Sequence, residues 1–369
     1  MIDLLRTNTM LSITRSTLVI GLAICAGWIP QAFGVEVTLV PIKDNTLYEY
    51  SPNNARTLFN SNGSGDLFSA GRNRSRSLIR RGLMQFDFSG IPAGSVVDPG
   101  TVRLDLYVVN FASHDLTARP FWVVPLAEGN WGEGASAALA GVSGSGSGAA
   151  AQDGDATWFH TMFDSAIHDD QSYSPGADGF WAQLGALGND PLDPQQLFGD
   201  PAGIVMSDVG PVSFSSASLE DDVNAWLQGT GNFGWVVLGD ETVSSGSESS
   251  ARGFASREHA NPDFRPLLSF KYAIAGDYDG DDLVGIIDLN LVLFNWDRPG
   301  NTLPPLWSQQ IPLGSVGIDE LNGVLFNWNA GATTVIVPEP SPYATLPLLA
   351  AACIHRIAPS QRKRRWQQR

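Results

Sequence analysis

Thirteen residues near the C-terminal end, VGIIDLNLVLFNW from Val284, return as VGIDELNGVLFNW from Val316 with ten positions identical. Leu289, Val292, Leu293 and Trp296 in the first copy, and Leu321, Val324, Leu325 and Trp328 in the second, fall at i, i+3, i+4 and i+7. That spacing is a single apolar stripe on a helix. Helices this short are marginal alone, so the two are expected to pack against each other. Ahead of the first copy Asp277, Asp279 and Asp281 alternate, and Asp288 follows. Counted as a twelve-residue loop, these are positions 1, 3, 5 and 12, with the Leu283 carbonyl at 7, which is oxygen-ligand spacing for Ca2+. Alternate residues of a tightly curled loop can all turn inward around a hard cation. Asp282 stands where glycine usually makes the sharp turn, a position Asp tolerates because it can enter the left-handed region. In the second copy the same count gives Gln309, Ile311 and Leu313. That loop has lost its cage, so one ion is expected, on residues 276–330.

The chain carries a formal charge of −16, with 39 Gly and 23 Pro in 369 residues. Such a composition describes a turn-rich, acidic protein and excludes nucleic acid as a partner, since phosphate contacts need basic patches. Arg6 and Arg15 precede an apolar run from Thr17 to Ile29 and the small-residue pattern Ala32-Phe33-Gly34. This is the order of parts in a secretory signal, so residues 1–34 are read as one. The two cysteines, Cys25 and Cys353, fall in the two ends, leaving the body without disulfides. Stability must then come from the apolar core and bound metal.

Between the ends, residues 35–275 read as short strands separated by Gly, Pro, Asn, Asp and Ser clusters. The clearest are VEVTLVPI from Val35, RGLMQFDF from Arg81, VRLDLYVVN from Val102, PFWVVPL from Pro120, FGWVVLG from Phe233 and PLLSFKY from Pro266. Six or more such strands predict a mainly β fold, an antiparallel β-sandwich of jelly-roll type. One helix is expected from Leu219, with Leu219, Val223, Trp226 and Leu227 on its inner face, and Trp226 and Trp235 are assigned to the core. The run GVSGSGSGAAA around Gly141 reads as a surface loop.

Three resemblances add to this reading. DNTLYE from Asp44, RGLMQFDFSGIPAG from Arg81, NWGEG from Asn130, GDATWFH from Gly154, DVNAWL with NFGWVVLGDE, and FASREHANPDFRPLLSFKY resemble the DNRLRE-domain proteins, grouped with family 96 carbohydrate-binding modules. Thr46 and Tyr48 stand in place of the two arginines that name that family. The resemblance implies an exported β-sandwich and a polysaccharide partner. The Asp loop and duplicated helix resemble a dockerin type I domain, which implies a cohesin-like protein as partner; docking within the chain is the alternative use of the helix pair. At the C-terminal end, residues 331–369 hold Pro338-Glu339-Pro340, an apolar run from Tyr343 to Ile354 and a cluster of Arg and Lys. They resemble a PEP-CTERM sorting tail, which implies an exosortase-type system and a secreted or cell-surface location. The apolar run is shorter than the roughly 20 residues that span a bilayer.

Sugar binding needs exposed rings. Trp131 in EGNWGEG and Trp181 beside Phe180 are the candidate platforms, with Trp158, on one side of a strand with His160, as a third. Asp153 and Asp155 are candidates for a second ion. Glu128 and Glu133 flank Trp131 and are the one carboxylate pair that a glycoside hydrolase or lyase reading could use; no nucleophile motif accompanies them. The expectation is therefore a non-enzymatic, polysaccharide- and calcium-binding surface protein. A structural or adhesive matrix or scaffold protein is the first alternative, and a polysaccharide-degrading enzyme the second.

Overall fold

The computed structural model describes residues 34–49, 59–73, 78–111, 117–127, 129–138, 147–168, 174–188, 192–205, 208–243 and 248–331. The segment expected to be a secretory signal, up to residue 33, Glu128, most of the Gly141 run and the Pro338-Glu339-Pro340 tail lie outside the described residues.

Nine strands come first: β1 Val35–Leu39, β2 Pro41–Tyr48, β3 Asn60–Ser61, β4 Leu67–Arg72, β5 Ile79–Phe86, β6 Val96–Val97, β7 Arg103–Phe111, β8 Arg119–Pro125 and β9 Ala149–Ala150. There follow α1 Pro194–Phe198, β10 Gly203–Val205, β11 Gly210–Phe214, α2 Ala217–Leu227, β12 Trp235–Gly239, β13 Arg252–Ala255 and β14 Leu267–Ala273. Two helices close the order, α3 Ile286–Phe294 and α4 Ile318–Phe326. The protein is mainly β. Twelve strands form one antiparallel sheet in the order β1-β14-β7-β13-β4-β5-β12-β8-β10, with β11 on β7, β2 on β5 and β6 on β14.

That sheet curls at β4. Leu67 to Ala70 pair with β13, whereas Gly71 and Arg72 pair with β5. Gly71 sits at φ +102°, and a Cβ there would lie 2.6 Å from the Ser250 carbonyl oxygen, so only glycine turns this corner. The two halves then face each other. Phe121 of β8 meets Phe254 of β13 edge-on with ring centres 5.5 Å apart, in a core that also takes Phe68, Leu104, Phe214, Trp235 and Phe270.

Strand parity explains why two strands read as continuous apolar runs. In β12, Trp235 and Val237 enter the inner core, while Val236 and Leu238 join a second cluster on the opposite face. Phe121 and Val123 of β8 likewise face inward, and Trp122 and Val124 outward. A sheet buried on both sides loses the polar half of its alternation. Trp131, Trp158, Phe159 and Trp181, from the described stretches between β8 and α1, supply the cover. A fully buried ion pair pins its edge: Arg81 Nε and Nη2 donate to Glu241 at 2.9 Å each, and Nη1 donates to the carbonyls of Gly185 and Gly188.

α2 forms as its stripe requires, burying Leu219, Val223, Trp226 and Leu227, with Ser216 capping its start through the Leu219 amide. Trp226 and Trp235 lie in the core. At the far end, Ile274, Tyr278, Val284, Leu291, Val292, Trp307, Val316 and Val324 belong to the same core cluster as Phe270 and Tyr272 of β14. The helix pair therefore shares its apolar interior with the sheet, and Asn327 Nδ2 donates to the Ala93 carbonyl at 3.2 Å.

Candidate metal centre

β14 runs straight into the acidic loop, and each carboxylate there is oriented by backbone donors. Asp277 Oδ1 accepts from the Gly280 amide at 2.8 Å and Oδ2 from the Asp282 amide at 3.0 Å. Asp279 accepts from the Asp281 amide at 3.2 Å, and Asp281 from the Leu283 amide at 3.0 Å. This ladder needs a sharp turn at residues 280–282. Gly280 and Asp282 both adopt positive φ, +76° and +63°, so Asp282 enters the left-handed region as its residue type allows.

One carboxylate oxygen from each of Asp277, Asp279 and Asp281 lies within 4.8 Å of the others. Asp277 is fully buried and Asp281 is exposed. Burial, followed by the charges of Asp288 and Asp279, pushes the Asp277 carboxyl up to about 7 against the pull of its amide partners. Asp279 is raised as well, by burial and then by Asp288 and Asp281. Among the described residues no basic side chain makes an ion pair with them. Converging carboxylates whose charge no ion pair among the described residues neutralises fit a hard divalent cation, which would supply the missing charge and take oxygens from all sides.

Asp288, expected as the twelfth-position ligand, is not in that group of three. It is the third residue of α3, where its Oδ2 accepts from the Gly285 amide at 2.8 Å, and its Oδ1 accepts from the amides of Tyr278 and Asp279 at 2.7 and 3.3 Å. Glu320 does the corresponding work in the second copy, accepting from the Gly317 amide at 2.7 Å. Helix capping thus accounts for an acid at this place in a loop that has lost its other ligands. The Leu283 amide serves Asp281. In the second loop Gln309 is buried, and its amide donates, as does that of Ser308, to the Tyr278 carbonyl.

Tyr278 is the residue the sequence did not reveal. Its amide holds Asp288, its carbonyl accepts from the second loop, its hydroxyl donates to the Glu320 carbonyl at 3.0 Å, and its ring packs 4.6 Å from Trp307. Position 2 of a loop carries no ligand signal, so only the fold shows that it joins both copies. The copies are further clasped reciprocally. Val284 exchanges backbone hydrogen bonds with Asn329 and Ala330, just past α4, and Val316 exchanges them with Asp297 and Arg298, just past α3. Asp297 and Asn329 share left-handed φ values of +61° and +64°.

The expected helix stripe needs correction. Leu291, Val292 and Val324 are buried, but Leu293 and Leu325 are about half exposed and Trp296 and Trp328 are 42% exposed. Each helix ends at Phe294 or Phe326, before the tryptophan, and the chain turns away in the next residues. Phe294 and Phe326 are 80% and 83% exposed. A groove of about 450 Å³ beside α3 is lined by Ile287, Leu291, Phe294, Pro304, Leu306 and Arg298.

The three proposed sugar platforms are also corrected. Trp131, Trp158 and Trp181 are at most 1% exposed. The Trp131 and Trp181 indoles donate to the Phe233 and Thr157 carbonyls at 2.8 and 2.9 Å, and Trp158 lies beneath the Arg81 guanidinium. A tryptophan in a Gly-rich loop looks exposed in sequence, but here the loop is folded back on an apolar sheet face. Thr46 and Tyr48 are buried too.

Glu133 is held by Arg257 through bonds of 2.6 and 2.9 Å and accepts from the Asp44 amide at 3.0 Å. Three of the sequence motifs thus meet in a structural brace. Asp153 and Asp155 each accept from backbone amides, Asp155 from those of Ser136 and Gln152 and Asp153 from that of Ser165.

Among the described residues no helix is long and apolar enough to cross a membrane. No protein-family model matches the chain, and no curated protein matches it.

Proposed function

We propose that this is a calcium-binding, non-catalytic protein of the cell surface, in which a β-sandwich of jelly-roll type is the body and a dockerin-like helix pair is the interaction module. The observation that carries the reading is the gathering of Asp277, Asp279 and Asp281 within 4.8 Å, with no ion pair to them among the described residues. Bound calcium would neutralise the three carboxylates and hold the loop between β14 and α3 in one conformation. Asp277, Asp279 and Asp281 would hold it directly, while Asp288 fixes the loop to the start of α3. The secretory segment and the Pro338-Glu339-Pro340 tail support export and sorting of the whole chain by an exosortase-type system.

Of the two non-enzymatic readings, the structural or adhesive one is favoured, because the rings proposed to stack on sugars are spent in packing. Ile286, Leu293 and Phe294 on α3 and Ile318, Leu325 and Phe326 on α4 are left exposed, which favours a protein partner on the helix pair. The commitment of Glu133 to Arg257 supports a body without acid-base chemistry. Calorimetric titration with calcium tests the central claim: one high-affinity ion per chain is expected, and two equivalent ions, or none, would overturn it. Affinity gels of alginate and of a neutral glucan, with and without chelator, test the rest. Retention by the neutral glucan in chelator would restore the polysaccharide-binding reading.

A further inference from the structure

We infer that metal occupancy of the Asp277 loop controls the fastening of the chain just beyond α4, so that the loop acts as a latch on residues 329–331. The inference rests on the calcium reading above and extends it to a segment that contains no ligand.

The latch is visible in the backbone. Val284, four residues before Asp288, donates to the Ala330 carbonyl at 3.0 Å and accepts from the Asn329 amide at 2.9 Å. Gly331 follows at φ +81°, so close to the loop that a Cβ there would lie 1.8 Å from the Asp282 carbonyl oxygen. Asp282 is the left-handed residue of the turn, and its amide is one of the two that orient Asp277. The segment leaving α4 therefore rests on the turn that shapes the cage. From Gly331 the sequence runs on to Pro338-Glu339-Pro340.

The duplication supplies the control. Val316 makes the equivalent clasp with Asp297 and Arg298 through bonds of 2.9 Å each, but its own loop presents Gln309, Ile311 and Leu313 where the first presents aspartates. With matching clasps and one cage, a metal effect carried by the loop must be one-sided. Without the ion, three carboxylates gathered within 4.8 Å of one another repel, which favours an opened turn. Opening it removes the surface on which residues 329–331 lie.

Amide hydrogen exchange of the full chain, resolved by NMR in calcium and in chelator, tests this. The Asn329 and Val284 amides are expected to exchange at least tenfold faster in chelator, while those of Asp297 and Val316 change less than twofold. Equal loss of protection at both clasps would overturn the one-sided latch, because the pair would then be melting as one unit. Unchanged exchange at Asn329, with calcium binding shown by titration, would overturn the inference alone. No binding would overturn both it and the calcium reading. Gly331→Ala gives the reciprocal measurement: since linkage runs both ways, a side chain pressed against the Asp282 carbonyl should weaken calcium binding about fivefold or more. Unaltered affinity in this variant would also sink the latch.

Discussion

Asp277 concentrates the chemistry of the loop in one side chain: it is wholly buried, both of its oxygens accept from amides, and burial pushes its carboxyl pKa up to about 7. Asp277→Asn is expected to lower calcium affinity roughly 100-fold or more, because it removes a ligand charge and sets an NH2 group against an amide donor; titration calorimetry reads the loss. His160 offers a pH test independent of the metal. Its ring lies 4.1 Å from that of His168 and its Nδ1 2.9 Å from the Thr157 hydroxyl, and burial, then the charge of His168, pushes its pKa down to about 3. The unfolded chain takes up this proton near pH 6.5 and the folded chain only near 3, so the stability tied to neutral His160 is present above 6.5 and falls away as pH drops through that window. Urea unfolding at pH 7 and 4.5 should show a smaller acid loss for His160→Phe than for the parent chain. The alternation of Asp277, Asp279 and Asp281, which the fold gathers within 4.8 Å, was legible from spacing alone. Tyr278 was not, since its work is done through backbone groups that every residue type carries.

At the scale of elements, the duplicated helices show where periodicity succeeds and where it stops. It identified two helices and placed Val292 and Val324 inside, but it also assigned Leu293 and Leu325 to the core, which the structure leaves about half exposed. Leu291→Ala should therefore destabilise by about 2–4 kcal/mol. Leu325→Ala should cost less than about 0.5 kcal/mol. Comparing their urea midpoints decides the matter, and the two effects would be reversed if the sequence stripe were the packed one. The long cover over β5, β12 and β8 follows the same logic. Trp181, fully buried with its indole bonded to Thr157, should cost about 3–5 kcal/mol on truncation to alanine, a value read from the same unfolding curves. A binding platform would instead lose ligand affinity at little cost in stability.

Across the whole molecule, the sheet and helix pair share one apolar interior, so heating should give a single cooperative transition for both. Calcium at 100 times its dissociation constant would add about 2.7 kcal/mol to the folded state, which should raise Tm by about 4 °C in a body of this size. Scanning calorimetry in calcium and in chelator reads the shift, and two separate transitions would mean that the helix pair melts by itself. The amino-acid sequence by itself determined the β class, the position of α2, the paired helices and the alternating aspartates, because each is a repeat matched to the geometry of one local element. Only the tertiary structure decided which tryptophans are buried, that Asp288 caps a helix, that Glu133 braces Arg257, and that β4 turns the sheet at Gly71. Burial and partnership depend on what the distant chain lays over a residue, and local spacing carries no record of that.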